Sequence, residues 1–219
     1  MKRTSAINDL LKVMARLRAP DGCPWDREQD HMSLRRHAIE EVYELIDAIE
    51  ADDDHEMAEE LGDLLLQVVF HCQMARERRA FDFEKVCRLL VDKLIRRHPH
   101  VFGDVKVRDV DHVWANWEKI KHAEKKGTRH ERTSAFDGIP KHLPALLRAE
   151  KLVKKARKAG LLIQKKPQRR ISKTALARQC FALAETAQQH GWSAEQLLNE
   201  ETKRREKTLR KMERKRAVR

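Results

Sequence analysis

The sequence predicts an all-α protein built as a helical bundle, and its composition and periodicity are the main reasons. Only 7 Gly and 6 Pro occur in 219 residues, and aromatic residues make up 5% of the chain. Few turn-forming residues, with many Ala, Leu, Glu, Lys and Arg, favour helices over strands. Apolar residues account for 41% of the chain, which is enough to form a core.

The first predicted helix covers residues 4–18, where apolar side chains recur at the spacing of one helix face. A loop with two prolines and a glycine follows at 19–26. Ser33 is the expected cap of the next helix, which runs to about Ala51. The acidic run 52–54 then supplies a turn and a further cap.

Six further helices are predicted after this turn, separated by polar or proline-containing segments. Pro99 is expected to end the second of them, because the residue before a proline disfavours helical geometry. The predicted helices cover residues 55–79, 84–97, 111–124, 144–159, 173–190 and 193–215, and loops or irregular segments are expected at 98–110, 125–133 and 160–172.

Two domains are predicted, 1–125 and 126–219, and the charge of the chain is unevenly distributed. Residues 1–140 carry 24 Lys/Arg against 28 Asp/Glu, a net charge of −4, whereas residues 141–219 carry 23 against 7, a net charge of +16. A strongly basic segment often contacts nucleic acid, so this partner stays open. No long apolar run or signal peptide is recognisable and the four cysteines form no CxxC pair, so a cytoplasmic protein without membrane association is expected.

Two predicted helices carry closely spaced acidic residues: Glu40, Glu41 and Glu44 in the first, and Glu60 and Asp63 in the second. Residues three apart lie on one helix face, so Glu41 and Glu44 stack, as do Glu60 and Asp63. The tight turn between the helices makes them antiparallel neighbours and brings the two pairs together. The alternative is two acidic faces that point into solvent.

The helix over 55–79 favours the first interpretation, because it is apolar nearly all round and is expected to be largely buried. Its main apolar face runs from Met57 to Cys72, while Leu66 and Phe70 point elsewhere. Such a helix has more apolar surface than one neighbouring hairpin covers, which predicts a homodimer or a larger even-numbered assembly. The polar residues of this helix share one stripe, and they are Glu60, Asp63, Gln67 and His71. On this stripe, His71 is expected to be a partner of the acids.

Clustered carboxylates repel one another and take up protons unless a cation neutralises them. Oxygen ligands without Cys or paired His suit Mg²⁺ better than zinc, with Mn²⁺ as a further possibility. Mg²⁺ commonly bridges protein carboxylates to substrate phosphates, so a phosphoanhydride is the expected substrate.

These motifs resemble the MazG family of nucleoside triphosphate pyrophosphohydrolases. The family signature, EExxE followed by a spacer and ExxD, is met by Glu40, Glu41, Glu44, Glu60 and Asp63. The resemblance covers about residues 5–155. Flanking segments that also match are GCPWD at 22–26, LGDLL at 61–65, RRHPHVF at 96–102, Val113-Trp114 and IPxxLPAL at 139–146.

The resemblance implies an all-α fold in which helices of two subunits complete a bundle. It also implies Mg²⁺-dependent cleavage of nucleoside triphosphates to a monophosphate and pyrophosphate, in the control of nucleotide pools. Glu41, Glu44, Glu60 and Asp63 correspond to metal ligands. Glu40, the second catalytic candidate beside Glu41, corresponds to an acid that orients or deprotonates the attacking water.

Basic and aromatic residues near the motif are candidates for substrate binding. Lys93, Arg96 and Arg97 lie at one helix end and can contact phosphates, although the helix dipole also favours basic residues there. Trp25 can stack on a nucleobase, although tryptophans more often anchor packing.

The last two predicted helices of the basic second region resemble a degenerate copy of the pair over 55–97, and this copy lacks an acidic motif. The alternative function is therefore a catalytically weakened regulatory or nucleic-acid-binding protein on the same scaffold. In the last helix, Glu200, Glu201, Glu206 and Glu213 alternate with the bases. A solvated amphipathic helix is the preferred interpretation of that alternation.

Overall fold

The computed structural model describes residues 5–129, 131–162 and 171–217, and every regular element within them is helical. The predicted all-α class is therefore confirmed. The chain divides into two compact units, Met1–Trp117 and Glu118–Arg219. The α-helices are α1 (Ala6–Leu17), α2 (Pro24–Glu28), α3 (His37–Glu50), α4 (Asp54–Glu77), α5 (Phe83–Arg97), α6 (Pro99–Phe102), α7 (Val110–Ala123), α8 (Ala145–Lys158), α9 (Lys173–Gln189) and α10 (Ala194–Ala217).

The first unit is organised around α4, which packs against α1, α3 and α5. Its core joins one apolar face of α1 to the second half of α4, and Leu34 from the connecting segment completes it. Partly buried residues of α1 and the first residue of α5 pack around this centre. The buried members of this core are Met14, Leu34, Val69, Phe70 and Met74.

The face of α4 that meets this core agrees with the predicted one only in part, since Val69 and Cys72 are buried as expected. Phe70 is buried and Leu66 packs against the core, because the apolar face of α1 lies on this side of α4. Leu61, Leu65 and Val68, which were expected on the main buried face, are exposed. The expectation that α4 is largely buried is therefore wrong for the first half of the helix in a single chain.

The turn between α3 and α4 follows the prediction. The carboxylate of Asp53 accepts hydrogen bonds from the backbone N–H groups of His55 (3.0 Å) and Glu56 (3.1 Å). Asp52 adopts a left-handed conformation with φ 55°, which reverses the chain over three residues. The acidic run 52–54 thus makes the expected turn and cap, and α3 and α4 pack as neighbours.

Three local predictions are wrong. The segment 19–26 is not entirely loop, because α2 begins at Pro24, where the missing N–H of proline is not needed. Ser33 does not cap α3, since the segment Ser33–Arg35 is a 3-10 turn and the carboxylate of Asp30 accepts from the N–H groups of Met32 and Ser33. The segment 98–110 is not entirely loop. Pro99 ends α5 as expected but also opens the short helix α6, a position where its missing N–H is not needed.

The second unit packs α8 against α10 around a small core of Phe136, Leu152, Ala156 and Leu209. The predicted helices over 144–159, 173–190 and 193–215 are all present, as α8, α9 and α10. Most of the predicted irregular segment 160–172 lies outside the described residues. In the part of the chain that is described, no helix is both long and apolar enough to cross a membrane.

The Asp53 cap gives a test of how strongly the turn stabilises the first unit. Asp53→Ala leaves two N–H groups without their partner, and we expect the free energy of unfolding to fall by about 1 kcal/mol. Asp54→Ala removes a carboxylate from the same turn without removing a cap, so a smaller loss of about 0.3–0.5 kcal/mol is expected. Urea denaturation measures both, and equal losses would contradict the capping role.

Candidate active site and metal centre

Three acidic side chains from two helices meet in the first unit. One carboxylate oxygen from each of Glu41, Glu60 and Asp63 lies within 4.8 Å of the other two. Glu41 comes from the first turns of α3 and the other two from the second and third turns of α4. The antiparallel packing of α3 on α4 therefore brings together residues that are about twenty positions apart in sequence.

The remaining two acids of the signature lie differently. The negative charge of Glu44 acts on both Glu41 and Glu60, so its side chain faces the same region. Glu40 is exposed and pairs with His37, whose Nδ1 is 3.1 Å from the Glu40 carboxylate. The structure thus brings four of the five acids into one electrostatic group, with Glu40 beside it.

The proximity of these carboxylates perturbs their titration. Burial raises the pKa of Glu41, and the charges of Asp63 and Glu44 raise it further. The pKa of Glu60 is also raised by burial and then by the charges of Glu44, Asp63 and Glu41. Both effects disfavour the ionised form, so the cluster without a counter-ion is electrostatically destabilised.

Gln67 belongs to this site although the sequence signature does not contain it. Its side-chain N–H group donates to Glu41 at 3.4 Å, and the residue is buried one turn after Asp63. The signal in the sequence was a polar residue on the acidic stripe of an otherwise apolar helix. Gln67 is therefore suited to hold the Glu41 carboxylate in position.

The donor set fits a hard divalent cation. Among the described atoms, Oε2 of Glu60 and Oε1 of Gln67 are buried and have no hydrogen-bond partner. A buried carboxylate oxygen without a partner is costly unless a cation or water satisfies it. Because all converging ligand atoms are oxygens, Mg²⁺ or Mn²⁺ matches them better than zinc.

A second set of potential ligand atoms comes from His55, Glu56 and Glu59 at the start of α4. All three side chains are exposed, and they belong to one helix rather than two. Acidic residues are favourable at a helix N-terminus because of the macrodipole. This set is explained by helix stability and is not part of the candidate site.

The loop after α1 leads into the short helix α2, which carries Trp25, and this segment is fastened to α1 and α4. Arg18 donates to both carboxylate oxygens of Glu77 at 2.8 and 2.7 Å and also to backbone carbonyls of this segment, including that of Asp26. Gly22 approaches α1 so closely that a Cβ there would lie 2.1 Å from the Leu17 carbonyl oxygen. These constraints fix the course of the segment.

Trp25 itself remains 52% exposed, although its ring makes edge contacts with Phe70 and His37. It therefore both packs on the core and presents a free ring surface. The ring stands next to the histidine that pairs with Glu40, which locates it beside the acidic helix α3.

The basic residues at the end of α5 differ in their surroundings. Arg97 lies over the ring of Trp117, with its guanidinium carbon 5.1 Å from the ring centroid. Arg96 is exposed and Lys93 is half-buried. The contact of these three residues with substrate phosphates stays a prediction.

His71 is not a partner of the acids, contrary to expectation. Its ring stacks on that of His31, and the two Nδ1 atoms are 2.8 Å apart. Burial and the neighbouring His31 lower the pKa of His71. Because one Nδ1 must donate and the other accept, the pair requires at least one neutral ring. The histidine pair fastens the segment before α3 to α4. The spacing of residues in the sequence does not predict this contact.

The fold and the acidic site define an all-α domain in which carboxylates of two antiparallel helices converge. Residues 29–102 match the MazG nucleotide pyrophosphohydrolase domain. Two similar proteins are the nucleoside triphosphate pyrophosphohydrolase of Escherichia coli K12, 47% identical over 155 residues, and the nucleoside triphosphate pyrophosphohydrolase/pyrophosphatase MazG of Thermotoga maritima, 49% identical over 152 residues. A MazG nucleotide pyrophosphohydrolase domain therefore covers residues 29–102 of this chain.

The similarity covers part of each protein. It spans 70% of this chain and 58% of the E. coli relative, and 69% of this chain and 57% of the T. maritima relative. The uncharacterized protein YabN of Bacillus subtilis is 50% identical over 142 residues, which are 65% of this chain and 28% of that protein. The chain therefore spans less than two thirds of the length of these relatives.

The histidine pair predicts a pH-dependent stability. The unfolded chain protonates His71 near its ordinary pKa of 6.5, whereas the folded chain does so only at a lower pH. This contribution to stability is complete above pH 6.5 and is lost as the pH falls through the lower folded value. We therefore expect the free energy of unfolding to decrease between pH 7.5 and 5.5, and His71→Gln to weaken that decrease.

Urea denaturation at several pH values measures the effect as a difference between the two proteins. The raised pKa values of Glu41 and Glu60 act with the opposite sign, because folded carboxyl groups that bind protons early stabilise the fold as the pH falls. They are common to both proteins and cancel in the comparison. An identical pH dependence in His71→Gln and the parent chain would exclude the pair as its source.

Proposed function

We propose that the chain is a Mg²⁺-dependent hydrolase that converts nucleoside triphosphates to a monophosphate and pyrophosphate, with a role in controlling nucleotide pools. The convergence of Glu41, Glu60 and Asp63 oxygens within 4.8 Å carries this proposal. The similar proteins of E. coli and T. maritima are named nucleoside triphosphate pyrophosphohydrolases, which supports the same activity. Mn²⁺ is the second metal that the oxygen ligands would accept.

The proposed metal ligands are Glu41, Glu44, Glu60 and Asp63. A divalent cation held there supplies charge neutralisation and Lewis acidity at the phosphates. Glu41 is the ligand whose orientation Gln67 controls by its hydrogen bond. Oε2 of Glu60 is buried without a hydrogen-bond partner among the described residues, so it is available as a ligand atom for the cation.

Glu40 is the proposed general base together with the metal-binding Glu41. The oxygen of water bonds to the α phosphorus, the bond from that phosphorus to the bridging α–β oxygen breaks, and pyrophosphate leaves. Glu40 accepts the proton of the attacking water. Its contact with His37 supports this role, since the imidazole holds the carboxylate in one orientation.

Four further residues are proposed to bind the substrate. Lys93, Arg96 and Arg97 would neutralise phosphate oxygens that the cation leaves exposed. The exposed ring surface of Trp25 would stack on the nucleobase, and the fastened segment that carries it would limit the entropy lost on binding.

Substitution of the acids tests the site. Glu60→Gln is expected to reduce pyrophosphate release at least a hundredfold, because it removes a charged ligand. The metal-free protein should unfold at an equal or higher temperature than the parent, because the repulsion around Glu60 is relieved. Glu41→Gln, Glu44→Gln and Asp63→Asn are expected to reduce turnover equally strongly.

Glu59→Gln is the matched control, because it makes the same chemical change at the neighbouring, exposed position. It should retain turnover and the thermal shift caused by Mg²⁺. Near-normal turnover in any two of the four ligand variants would refute the metal assignment. If a ligand variant is inactive and also less stable, the thermal shift caused by Mg²⁺ decides whether its metal site is lost.

A homodimer is the second part of the proposal. Leu61, Leu65 and Val68 leave one side of α4 open, and α3 and α5 also expose large apolar residues. Exposure of so many large apolar residues is unusual in a monomer, and a second copy offers the same apolar faces in return. The exposed residues of α3 and α5 are Ile39, Val42, Tyr43, Ile46, Ile49, Leu89, Leu90, Val91, Leu94 and Ile95.

Sedimentation velocity tests this assembly. The intact chain is expected to sediment as a dimer or a larger even-numbered assembly at micromolar concentration, and Leu65→Lys should shift it towards monomer by burying a charge in the contact. Leu183→Lys, on an exposed residue of α9, should leave the assembly unchanged. A monomeric parent chain would contradict the proposal.

A further inference from the structure

The last helix of the chain, α10, carries an arrangement of charge that its sequence does not reveal. Its acids and bases alternate, which by itself predicts a solvated helix with its charges mixed. The structure instead separates the charges by their partners. Several glutamates of α10 bind partners within the described part of the second unit, whereas its lysines do not.

Glu206 is the central acid of this arrangement. It accepts from Arg148 at 2.8 Å and from Arg210 at 2.9 and 3.0 Å. Arg210 also donates to Asp137 at 2.8 Å. Two guanidinium groups thus face two carboxylates, and this largely buried network is electrically neutral.

The other acids of α10 from Glu200 onwards are paired elsewhere or lie outside the groove lining. Glu213 accepts from the Ser134 hydroxyl and from the Ala135 backbone N–H at 2.7 Å. Glu201 pairs with Arg204 and Arg205. Glu200 is exposed and does not line the groove described next. The carboxylates of this helix therefore leave its lysine row unneutralised.

A shallow groove of about 370 Å³ runs along α10 beside this network. Besides Glu206 and Arg210, it is lined by Lys203, Lys207, Lys211 and Arg214. These four side chains make no hydrogen bond or ion pair within the described part of the chain. A row of four cationic side chains therefore lies beside the electrically neutral network around Glu206.

We propose that this groove binds the phosphate backbone of a nucleic-acid strand. Lys203, Lys207 and Lys211 follow one another at about 6 Å along the helix axis, and the row from Lys203 to Arg214 extends about 16 Å. Regularly spaced phosphates of one strand can contact such a row in succession, and each contact releases condensed counter-ions. A compact anion uses only part of the row.

The chemistry of the lining sets the specificity. The groove contains no aromatic side chain, so bases do not stack in it and contacts are to phosphates alone. Binding is therefore independent of base sequence and strongly dependent on salt. Both RNA and DNA present this phosphodiester chemistry, and the experiment distinguishes them.

Fluorescence anisotropy of the full chain with labelled 12-nucleotide RNA and DNA strands tests the groove, in EDTA so that no divalent cation bridges phosphates to the acidic site. Four phosphate contacts predict a slope of log affinity against log salt of about −2.8 and a roughly 50-fold weakening between 50 and 200 mM salt. Lys207→Gln with Lys211→Gln should reduce the slope to about −1.4 and the weakening to roughly 7-fold. Binding by either strand, with this loss, supports the proposal and identifies the source of the phosphates.

The matched control is Lys151→Gln with Lys154→Gln, which removes two charges from exposed positions of α8 in the same unit. It should keep the slope of the parent chain. Equal weakening in both double variants would mean that net charge alone attracts the strand, and would overturn the groove. Binding of inorganic polyphosphate with no binding of RNA or DNA would overturn the assignment to nucleic acid. Circular dichroism and thermal unfolding establish that all variants are folded.

Discussion

The packing of α3 on α4 is the constraint on which the candidate active site depends. A three-residue turn, reversed at Asp52 and capped by Asp53, makes the two helices antiparallel neighbours. Carboxylates far apart in sequence then converge, although their mutual repulsion opposes this arrangement. Apolar packing of α4 against α1 offsets the repulsion, so the site is held by a core that lies outside it.

The length of α4 lets one helix serve several purposes along its axis. Its first half carries the carboxylates and an exposed apolar side, its middle carries Gln67 and His71, and its end is fastened by the Arg18–Glu77 ion pair. Burial therefore increases from the candidate site towards the core. Near the site, Oε2 of Glu60 and Oε1 of Gln67 are buried without a hydrogen-bond partner in the described part of the chain, whereas Arg18 and Glu77 pair with each other at the end of α4.

The fold class, the helix order and the acidic face could be predicted because they follow from helical spacing, which is a local property. The position of α1 on the Leu66 and Phe70 side of α4 could not, because an all-round apolar helix does not indicate which face its neighbour covers. The stacking of His31 on His71 could not be predicted either, since it joins a loop to a helix forty residues away. Gln67 stood on the predicted stripe, but only its distance to Glu41 gives it a role.

The pattern of charges in a sequence likewise does not show which charges pair in the fold. The basic helix α10 is an example. In sequence its glutamates alternate with its bases, and a count of charges along the helix cannot tell which of them neutralise each other. Glu206 and Glu213 are directed to partners on α8, within α10 and in the 134–135 segment, so they are unavailable to the lysine row. Arginine takes these inward positions because its planar fork makes several hydrogen bonds at once, while the flexible lysines remain exposed. The acidic helix pair and the basic helix thus obey one rule: the tertiary partner of each charge, rather than its neighbour in sequence, decides whether it is left to bind a counter-charge from solution.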